Sequence, residues 1–215
     1  MFLIFGNPVS HSKSPIMHNY FFKKNNINKC YGRYKLENGE KIIEIFKKLN
    51  LKGANVTVPH KELAYKLCDE VRGIAKEIGA VNTLIKKNNK VIGYNTDAPG
   101  FLEAIKEFDY KNVLIIGAGG TAKAISLVLP EAHILNRSEN RLKYFKLKNK
   151  NTYTWETFNK FDFDLIINTT SAGLNDDNLP VPKEILEKLF KNAKYAVDVI
   201  YGKETPFLKL AKNII

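Results

Sequence analysis

Hydrophobic positions along the chain follow two periods that alternate from one end to the other. Short runs with alternating or continuous apolar residues predict strands, and longer stretches with one apolar face predict helices. In the first half the predicted strands are 2–5, 31–36, 54–58, 83–86 and 90–95, and the predicted helices are 14–25, 39–49, 61–68, 72–78 and 98–108. In the second half the predicted strands are 112–117, 132–136, 163–168 and 195–200, and the predicted helices are 120–129, 139–147 and 183–191. This alternation predicts an α/β fold.

A last helix is predicted to begin at Thr205-Pro206, with the threonine as N-cap and the proline at the first helical position. The chain contains no internal repeat and no low-complexity linker. Its two halves meet near residues 100–111, and we place the boundary after residue 101. The sequence therefore predicts two α/β domains, residues 1–101 and 102–215.

The composition is that of a soluble globular protein, with 44% hydrophobic and 26% charged residues. No apolar run is long enough to cross a bilayer, and the opening MFLIFG is interpreted as a strand rather than a signal peptide. We therefore expect a cytoplasmic protein that binds no membrane. The two cysteines, Cys30 and Cys68, have no metal or redox spacing, and we expect both to be small buried side chains. No metal site is predicted.

The net charge of +12 raises the question of nucleic-acid binding. The lysines are scattered over predicted helix faces and turns rather than concentrated on one element. A solvated lysine-rich surface, together with an anionic small ligand, accounts better for this distribution. We expect no nucleic-acid partner.

A glycine-rich turn in NVLIIGAGGTAKAISLVL is the strongest local signal. An apolar strand runs into Gly117 and Gly119, and an alanine-rich helix that contains Ala122 follows at once. This is the dinucleotide-binding spacing, in which the first glycine permits the turn, the second admits the pyrophosphate, and the small third residue lets helix and strand pack. Such turns also occur for purely structural reasons, but the order strand, turn, helix, strand favours a nucleotide site.

The end of the next strand indicates which nucleotide is bound. NAD-binding folds place an acidic residue there, whereas this chain has Asn136, Arg137, Ser138 and, one helical turn later, Arg141. A guanidinium suits a 2′-phosphate by charge and by its paired donors. The alternative is a surface arginine pair beside an N-cap serine. We predict NADP rather than NAD.

Four polar clusters stand at predicted strand ends or turns in the first half: HSKSP, NVTVPHK, AVNT and YNTD. Each has a structural explanation when taken alone, such as Ser14-Pro15 at a helix start or Asp97 as a helix cap. Together they supply hydroxyls, amides, one cation and one carboxylate at the sheet edge where open α/β folds bind ligands. A small polyhydroxy acid would need these groups.

The ordered set GNPVSHSKSPIMHN, GANVTVPHK, GAVNTL, GYNTDAPG, GAGGTAKA, NRS, NTTSAG and DVIYGKETPFL resembles the shikimate dehydrogenase family over essentially the whole chain. The resemblance implies a substrate domain and a Rossmann-type NADP domain with the active site in the cleft between them. It also implies NADP-dependent, reversible reduction of 3-dehydroshikimate to shikimate in aromatic amino-acid biosynthesis. The expected protein is a monomer or a homodimer.

The resemblance implies roles for individual residues. Lys61 and Asp97 match the family's catalytic pair. The matched substrate-binding residues are Ser12, Ser14, Thr57, Lys61, Asn82, Asp97 and Tyr201. The matched cofactor-binding residues are Gly117, Ala118, Gly119, Gly120, Thr121, Ala122, Asn136, Arg137, Ser138, Arg141, Thr169, Thr170, Ser171 and Gly173. Asn55 is expected to brace the substrate loop instead of binding substrate.

The chain departs from the family pattern in two places. Gly202-Lys203 follows Tyr201 where relatives often have Asn-Pro, and relatives continue for several dozen residues beyond the position of Ile215. We expect the chain to lack that segment, including a glutamine that reaches the substrate. The missing segment leaves open a noncatalytic protein that binds NADP or shikimate. A second alternative is a quinate/shikimate dehydrogenase that uses NAD, against which the Asn136-Arg137 pair argues.

Overall fold

A computed structural model describes all 215 residues, which form two compact units, Met1–Thr96 and Asp97–Ile215. The boundary predicted after residue 101 lies further along the chain, inside the first helix of the second unit. No helix combines the length and the apolar character that a membrane crossing requires.

The first unit is a mixed sheet with short helices. Its strands are β1 (Phe2–Gly6), β2 (Tyr31–Lys35), β3 (Gly53–Val56), β4 (Glu70–Val71), β5 (Thr83–Lys87) and β6 (Lys90–Tyr94). Its helices are α1 (Ser14–Lys24), α2 (Ile42–Lys48), α3 (Lys61–Leu67) and α4 (Ala75–Ile78), with a 3₁₀ turn at Gly39–Lys41 before α2. The strand order is β2-β1-β3-β5-β6-β4, and β5 runs antiparallel to both of its neighbours.

The core of this unit lies between the sheet and its helices. Phe5 and Leu84 on the strands pack with Ile42 and Phe46 of α2, and all four are fully buried. Each such side chain contributes about 1.5–3 kcal/mol by leaving water. The core therefore anchors the end of β1 and the start of β5, the two points at which polar clusters stand.

The second unit is a parallel sheet covered on both faces. Its strands are β7 (Val113–Ile116), β8 (His133–Leu135), β9 (Thr152–Tyr153), β10 (Leu165–Asn168) and β11 (Tyr195–Asp198). Its helices are α5 (Asp97–Ala104), α6 (Gly120–Val128), α7 (Glu139–Lys146), α8 (Lys183–Phe190) and α9 (Pro206–Lys212). The order β11-β10-β7-β8-β9, with every pair parallel, is that of a Rossmann-type fold.

Neighbouring residues of these strands enter opposite cores. Ile115 and Ile167 belong to the buried cluster on one face, whereas Leu114 and Ile166 belong to the cluster on the other. A strand covered on both faces needs a continuous apolar run, which is why VLII and LIIN contain no alternation.

The predicted α/β class and the Rossmann-type second half are confirmed. Two strands, β4 and β9, were not predicted, because two residues are too few to show a period. The helix predicted at 72–78 is wrong at its start and occupies only Ala75–Ile78, since Gly73 has a φ of +60° just before it. The strand predicted at 54–58 ends at Val56.

The prediction that both cysteines are buried is wrong. Cys30 is exposed in the segment before β2, and Cys68 is half-buried at the end of α3. Burial raises the pKa of the Cys68 thiol to about 11, so this group stays protonated at neutral pH.

Candidate functional site

The topology of the first unit brings the four predicted polar clusters to one edge of the sheet. β1, β3 and β6 end at this edge, and β5, which runs antiparallel to β3 and β6, begins there. One cluster follows β1 after residues 7–10, one runs on from the end of β3, one leads into β5, and one runs on from the end of β6. Their shared position explains why residues far apart in sequence can serve one ligand.

Asn82 is the central polar side chain of this edge and is buried. Its Nδ2 donates to the Thr96 hydroxyl at 3.0 Å, and its Oδ1 accepts from the Thr96 backbone N–H at 3.0 Å. Its backbone carbonyl accepts from the N–H of Val56 at 2.8 Å. Asn82 thereby ties the start of β5 to the ends of β3 and β6, and fixes the segment that leads to Asp97.

Asn55 braces the same edge from the middle of β3, which agrees with its predicted role. Its Oδ1 accepts from the Tyr31 hydroxyl at 2.6 Å, and its Nδ2 donates to the Thr83 hydroxyl at 3.2 Å. Burial raises the pKa of the Tyr31 phenol, and the backbone of Asn55 opposes that shift only in part.

Ser12 and Ser14 form a pair of hydroxyls at the start of α1. Ser12 is buried, its hydroxyl lies 3.2 Å from that of Ser14, and it accepts from the Ser14 backbone N–H at 3.3 Å. Arg33 of β2 donates from Nε and Nη2 to the Ser12 carbonyl at 3.1 and 2.5 Å. The guanidinium holds the loop in place and adds positive charge beside the hydroxyls, an arrangement suited to a carboxylate.

Thr57 and Lys61 lie just beyond β3, and both are half-buried. The Thr57 N–H donates to the Phe5 carbonyl at 2.8 Å, so the loop stays attached to β1. Its methyl occupies the space that a Cβ at Gly6 would need, which explains the glycine there. Lys61 is the first residue of α3, and its carbonyl accepts from the Val81 N–H at 2.9 Å.

Two predicted residues of this group belong to the second unit. Asp97 is half-buried and begins α5, directly after Thr96 in the chain. Tyr201 lies in the segment between β11 and α9, where 66% of its surface is exposed. Their predicted contacts with substrate stay predictions.

The glycine turn of the second unit joins β7 to α6. Gly117 has a φ of +110°, and a Cβ there would lie 2.6 Å from the Thr169 Oγ1. That hydroxyl cannot move away freely, because it donates to the Ile116 carbonyl at 2.8 Å. At Gly119, by contrast, a Cβ would meet nothing within 4 Å. The first glycine thus permits the turn, and the second leaves the backbone open toward a ligand.

A cavity of about 990 Å³ opens beside this turn, between the ends of β7 and β10. Its lining residues are Gly117, Ala118, Gly119, Asn136, Arg137, Arg141, Trp155, Thr169, Thr170, Ser171, Ala172, Asp176, Asp177, Asn178, Leu179, Pro180, Val181, Pro182 and Lys183. The strand order reverses between β7 and β10, and such switch points are where open α/β sheets bind nucleotides. The free N–H groups at the start of α6 favour an anion.

A buried network holds the loop after β10 against this cavity. The Asn168 Nδ2 donates to the Asp198 carboxylate at 3.0 Å, and its Oδ1 accepts from the Thr170 N–H and hydroxyl at 3.0 and 2.8 Å. The same carboxylate accepts from the Thr205 hydroxyl at 2.7 Å. Thr205 also accepts from the Leu208 N–H, which makes it the predicted N-cap of α9.

Nine of the fourteen predicted cofactor residues line the cavity. These are Gly117, Ala118, Gly119, Asn136, Arg137, Arg141, Thr169, Thr170 and Ser171. The other five do not line it: Gly120, Thr121, Ala122, Ser138 and Gly173. Ala122 is fully buried and belongs to the cluster that packs α6 on the sheet, as expected of the small third residue.

Ten lining residues were not predicted, namely Trp155, Ala172 and the segment 176–183. The Asp176 carboxylate accepts from the N–H groups of Gly173 and Asn178 at 2.7 and 3.1 Å, and these bonds hold its pKa below the usual range. Asp176 and Asn178 are residue types that favour turns, and their spacing in the sequence could have indicated this loop. Trp155 gave no such indication, because its place depends on the unpredicted β9.

The fold and the cavity define a Rossmann-type nucleotide-binding protein that carries a second α/β unit with a polar sheet edge. Residues 4–84 match the family described as shikimate dehydrogenase substrate binding domain. The chain is 48% identical to shikimate dehydrogenase (NADP(+)) of Helicobacter hepaticus, across 99% of its own length and 81% of the relative's. It is 45% identical to the enzyme of the same name from Helicobacter pylori strain P12, across 99% and 83% of the two chains.

A solved structure agrees with these relatives. Shikimate 5-dehydrogenase from Thermus thermophilus, crystallised with NADP(H) and shikimate, superposes with a TM-score of 0.87 at 32% identity, covering 99% of this chain and 83% of that one. The chain belongs to the shikimate dehydrogenase family, as its ordered motifs predicted.

Proposed function

We propose that this protein catalyses the reversible, NADP-dependent reduction of 3-dehydroshikimate to shikimate in the chorismate pathway. The observation that carries the proposal is the switch-point cavity, whose lining includes Gly119, Arg137 and Arg141. The glycine suits a pyrophosphate, and the two arginines suit a 2′-phosphate. Relatives named for this reaction match the chain along 99% of its length.

NADP would be held by the glycine turn, the loop 169–171 and the two arginines, and it would supply the hydride acceptor. Neither β8 nor the turn after it ends in an acidic residue that would bind the ribose hydroxyls of NAD. This absence, together with the Asn136-Arg137 pair, is the reason for preferring NADP over the NAD-dependent quinate/shikimate alternative.

The sheet edge of the first unit would bind the substrate. Ser12 and Ser14 present two hydroxyls, backed by the Arg33 guanidinium, to a carboxylate. Thr57 and Asn82 offer a hydroxyl and an amide to ring hydroxyls. The amide is already oriented by Thr96, so little conformational entropy is lost on binding.

Lys61 and Asp97 would handle the proton. Oxidation of a secondary alcohol develops negative charge on its oxygen as the hydroxyl proton leaves. The Lys61 ammonium stabilises that charge and passes the proton onward, while the Asp97 carboxylate orients the lysine and accepts a hydrogen bond from a ring hydroxyl. A neutral lysine acting as a free base is less favourable, because a neighbouring carboxylate favours the ammonium form.

The test is the shikimate-dependent formation of NADPH, followed by absorbance. Parallel assays replace NADP with NAD, or shikimate with quinate. Lys61→Ala should lower turnover by about 10²-fold or more. NADP affinity should be retained in that variant. Lys66→Ala is the matched control, since Lys66 is exposed in the last turn of the same helix. Near-normal turnover in Lys61→Ala would refute the assigned role, and nucleotide binding without any turnover in the parent chain would favour the noncatalytic alternative.

A further inference from the structure

Trp155 is the one tryptophan of the chain, and it lines the nucleotide cavity beside Arg137. The Arg137 guanidinium carbon lies 6.0 Å from the centroid of the indole ring, within cation–π range. Arg137 is itself exposed. A long side chain at the surface has many rotamers, and the indole face favours those that lie against the cavity wall.

The short strand β9 creates this contact. Leu135 of β8 pairs with Tyr153 of β9, and the Asn136 N–H donates to the Tyr153 carbonyl at 3.1 Å. The parallel register therefore brings the residue two positions beyond Leu135, which is Arg137, level with Trp155. A turn then fixes Trp155, because the Thr154 N–H donates to the Thr157 hydroxyl at 2.9 Å.

The indole is held by packing rather than by a hydrogen bond. Its ring packs against the buried cluster that includes Phe158, Phe163 and Val181. Its Nε1 is buried and has no hydrogen-bond partner. Because this nitrogen is buried, it is not open to a ligand in the cavity, and the aromatic face is the part of Trp155 that contacts Arg137.

From this geometry we infer that Trp155 is a positioning residue for recognition of the 2′-phosphate. The inference rests on the proposed function, because it concerns the same nucleotide cavity. By holding the Arg137 guanidinium at the wall, the indole reduces the conformational entropy that the arginine loses when it binds a dianionic phosphate. Trp155 thus sets the preference for nucleotides that carry a 2′-phosphate over those that do not, without itself contacting the phosphate.

The experiment compares the dissociation constants of 2′,5′-ADP and 5′-AMP, which differ only in the 2′-phosphate, by isothermal titration calorimetry. Trp155→Ala should lower the preference for 2′,5′-ADP by about two- to fivefold, the size of an exposed cation–π contact. Trp155→Phe keeps an aromatic face, although the ring is smaller and lacks the unpartnered N–H, so it should restore most of the preference. Circular dichroism verifies that each variant is folded.

A double-mutant cycle shows whether Trp155 acts through Arg137. In an Arg137→Ala background, Trp155→Ala should change the preference no further. An unchanged preference in Trp155→Ala, an equal loss for both nucleotides, or the same loss in the Arg137→Ala background would overturn the inference. If the parent chain still prefers 2′,5′-ADP when one of these results is found, the role of Trp155 is refuted and the proposed function is not. If the parent chain binds neither nucleotide, the role of Trp155 and the proposed function are both refuted.

Discussion

The two glycines of the β7–α6 turn should respond to alanine in opposite ways. Gly117→Ala places a Cβ 2.6 Å from the Thr169 Oγ1 and 3.1 Å from the Thr170 Cγ2, on a backbone with a φ of +110°. The backbone strain costs about 1–3 kcal/mol. Forcing a methyl against a hydroxyl that is bonded to the Ile116 carbonyl costs about 1–3 kcal/mol more. The sum is about 2–6 kcal/mol, a large part of a typical domain's stability.

Gly119→Ala is the control. Gly119 has a φ of −87° and a ψ of −172°, which alanine adopts readily, and the added Cβ meets no atom within 4 Å. Stability should stay the same or rise by about 0.4–1 kcal/mol, because alanine has less freedom in the unfolded chain. Affinity for 2′,5′-ADP and NADP should fall, since the methyl projects where a phosphate would approach the backbone.

Urea unfolding monitored by tryptophan fluorescence measures both variants. Trp155 is the only tryptophan and lies in the second unit, so its emission reports on the unit that carries the turn. The urea concentration at the unfolding midpoint should fall strongly for Gly117→Ala, while the dependence of the free energy of unfolding on urea concentration stays the same. A Gly117→Ala midpoint near that of the parent, or a Gly119→Ala variant as unstable as Gly117→Ala, would refute the assigned division of roles.

Two further outcomes follow from the hydrogen bonds that hold the cavity loops. Thr205→Ala removes the cap of α9 and one donor to Asp198, and should lower the free energy of unfolding by about 1–3 kcal/mol. Thr205→Ser keeps the hydroxyl and should retain most of the stability. A urea midpoint that is unchanged in Thr205→Ala would contradict the capping role of Thr205. The Asp176 carboxylate has a folded-state pKa below its unfolded value because the Gly173 N–H donates to it, so its contribution to stability is present at neutral pH and is lost as the pH falls below about 4. Asp176→Asn should therefore show a flatter loss of stability in acid than the parent, and identical acid profiles would contradict this.

Much of the fold was predictable because its elements are long enough to show a period. The apolar runs at β7 and β10 and the amphipathic pattern of α6 predicted the second unit closely, and Thr205-Pro206 predicted the start of α9. The two-residue strands were not predictable, since pairing with a neighbour, and not local preference, determines them. The predicted burial of Cys30 is wrong for a related reason: a small apolar residue has no local feature that specifies burial.

By itself the sequence determined the residue types of the site and their order: a glycine turn before a helix, an arginine pair after the next strand, and polar groups at four strand ends. Only the tertiary structure decided which of these meet. The antiparallel insertion of β5 brings Asn82 to the same edge as Thr57, and the register between β8 and β9 brings Trp155 level with Arg137. Such contacts depend on strand order and register, which arise from packing over long sequence distances and leave no mark on local periodicity.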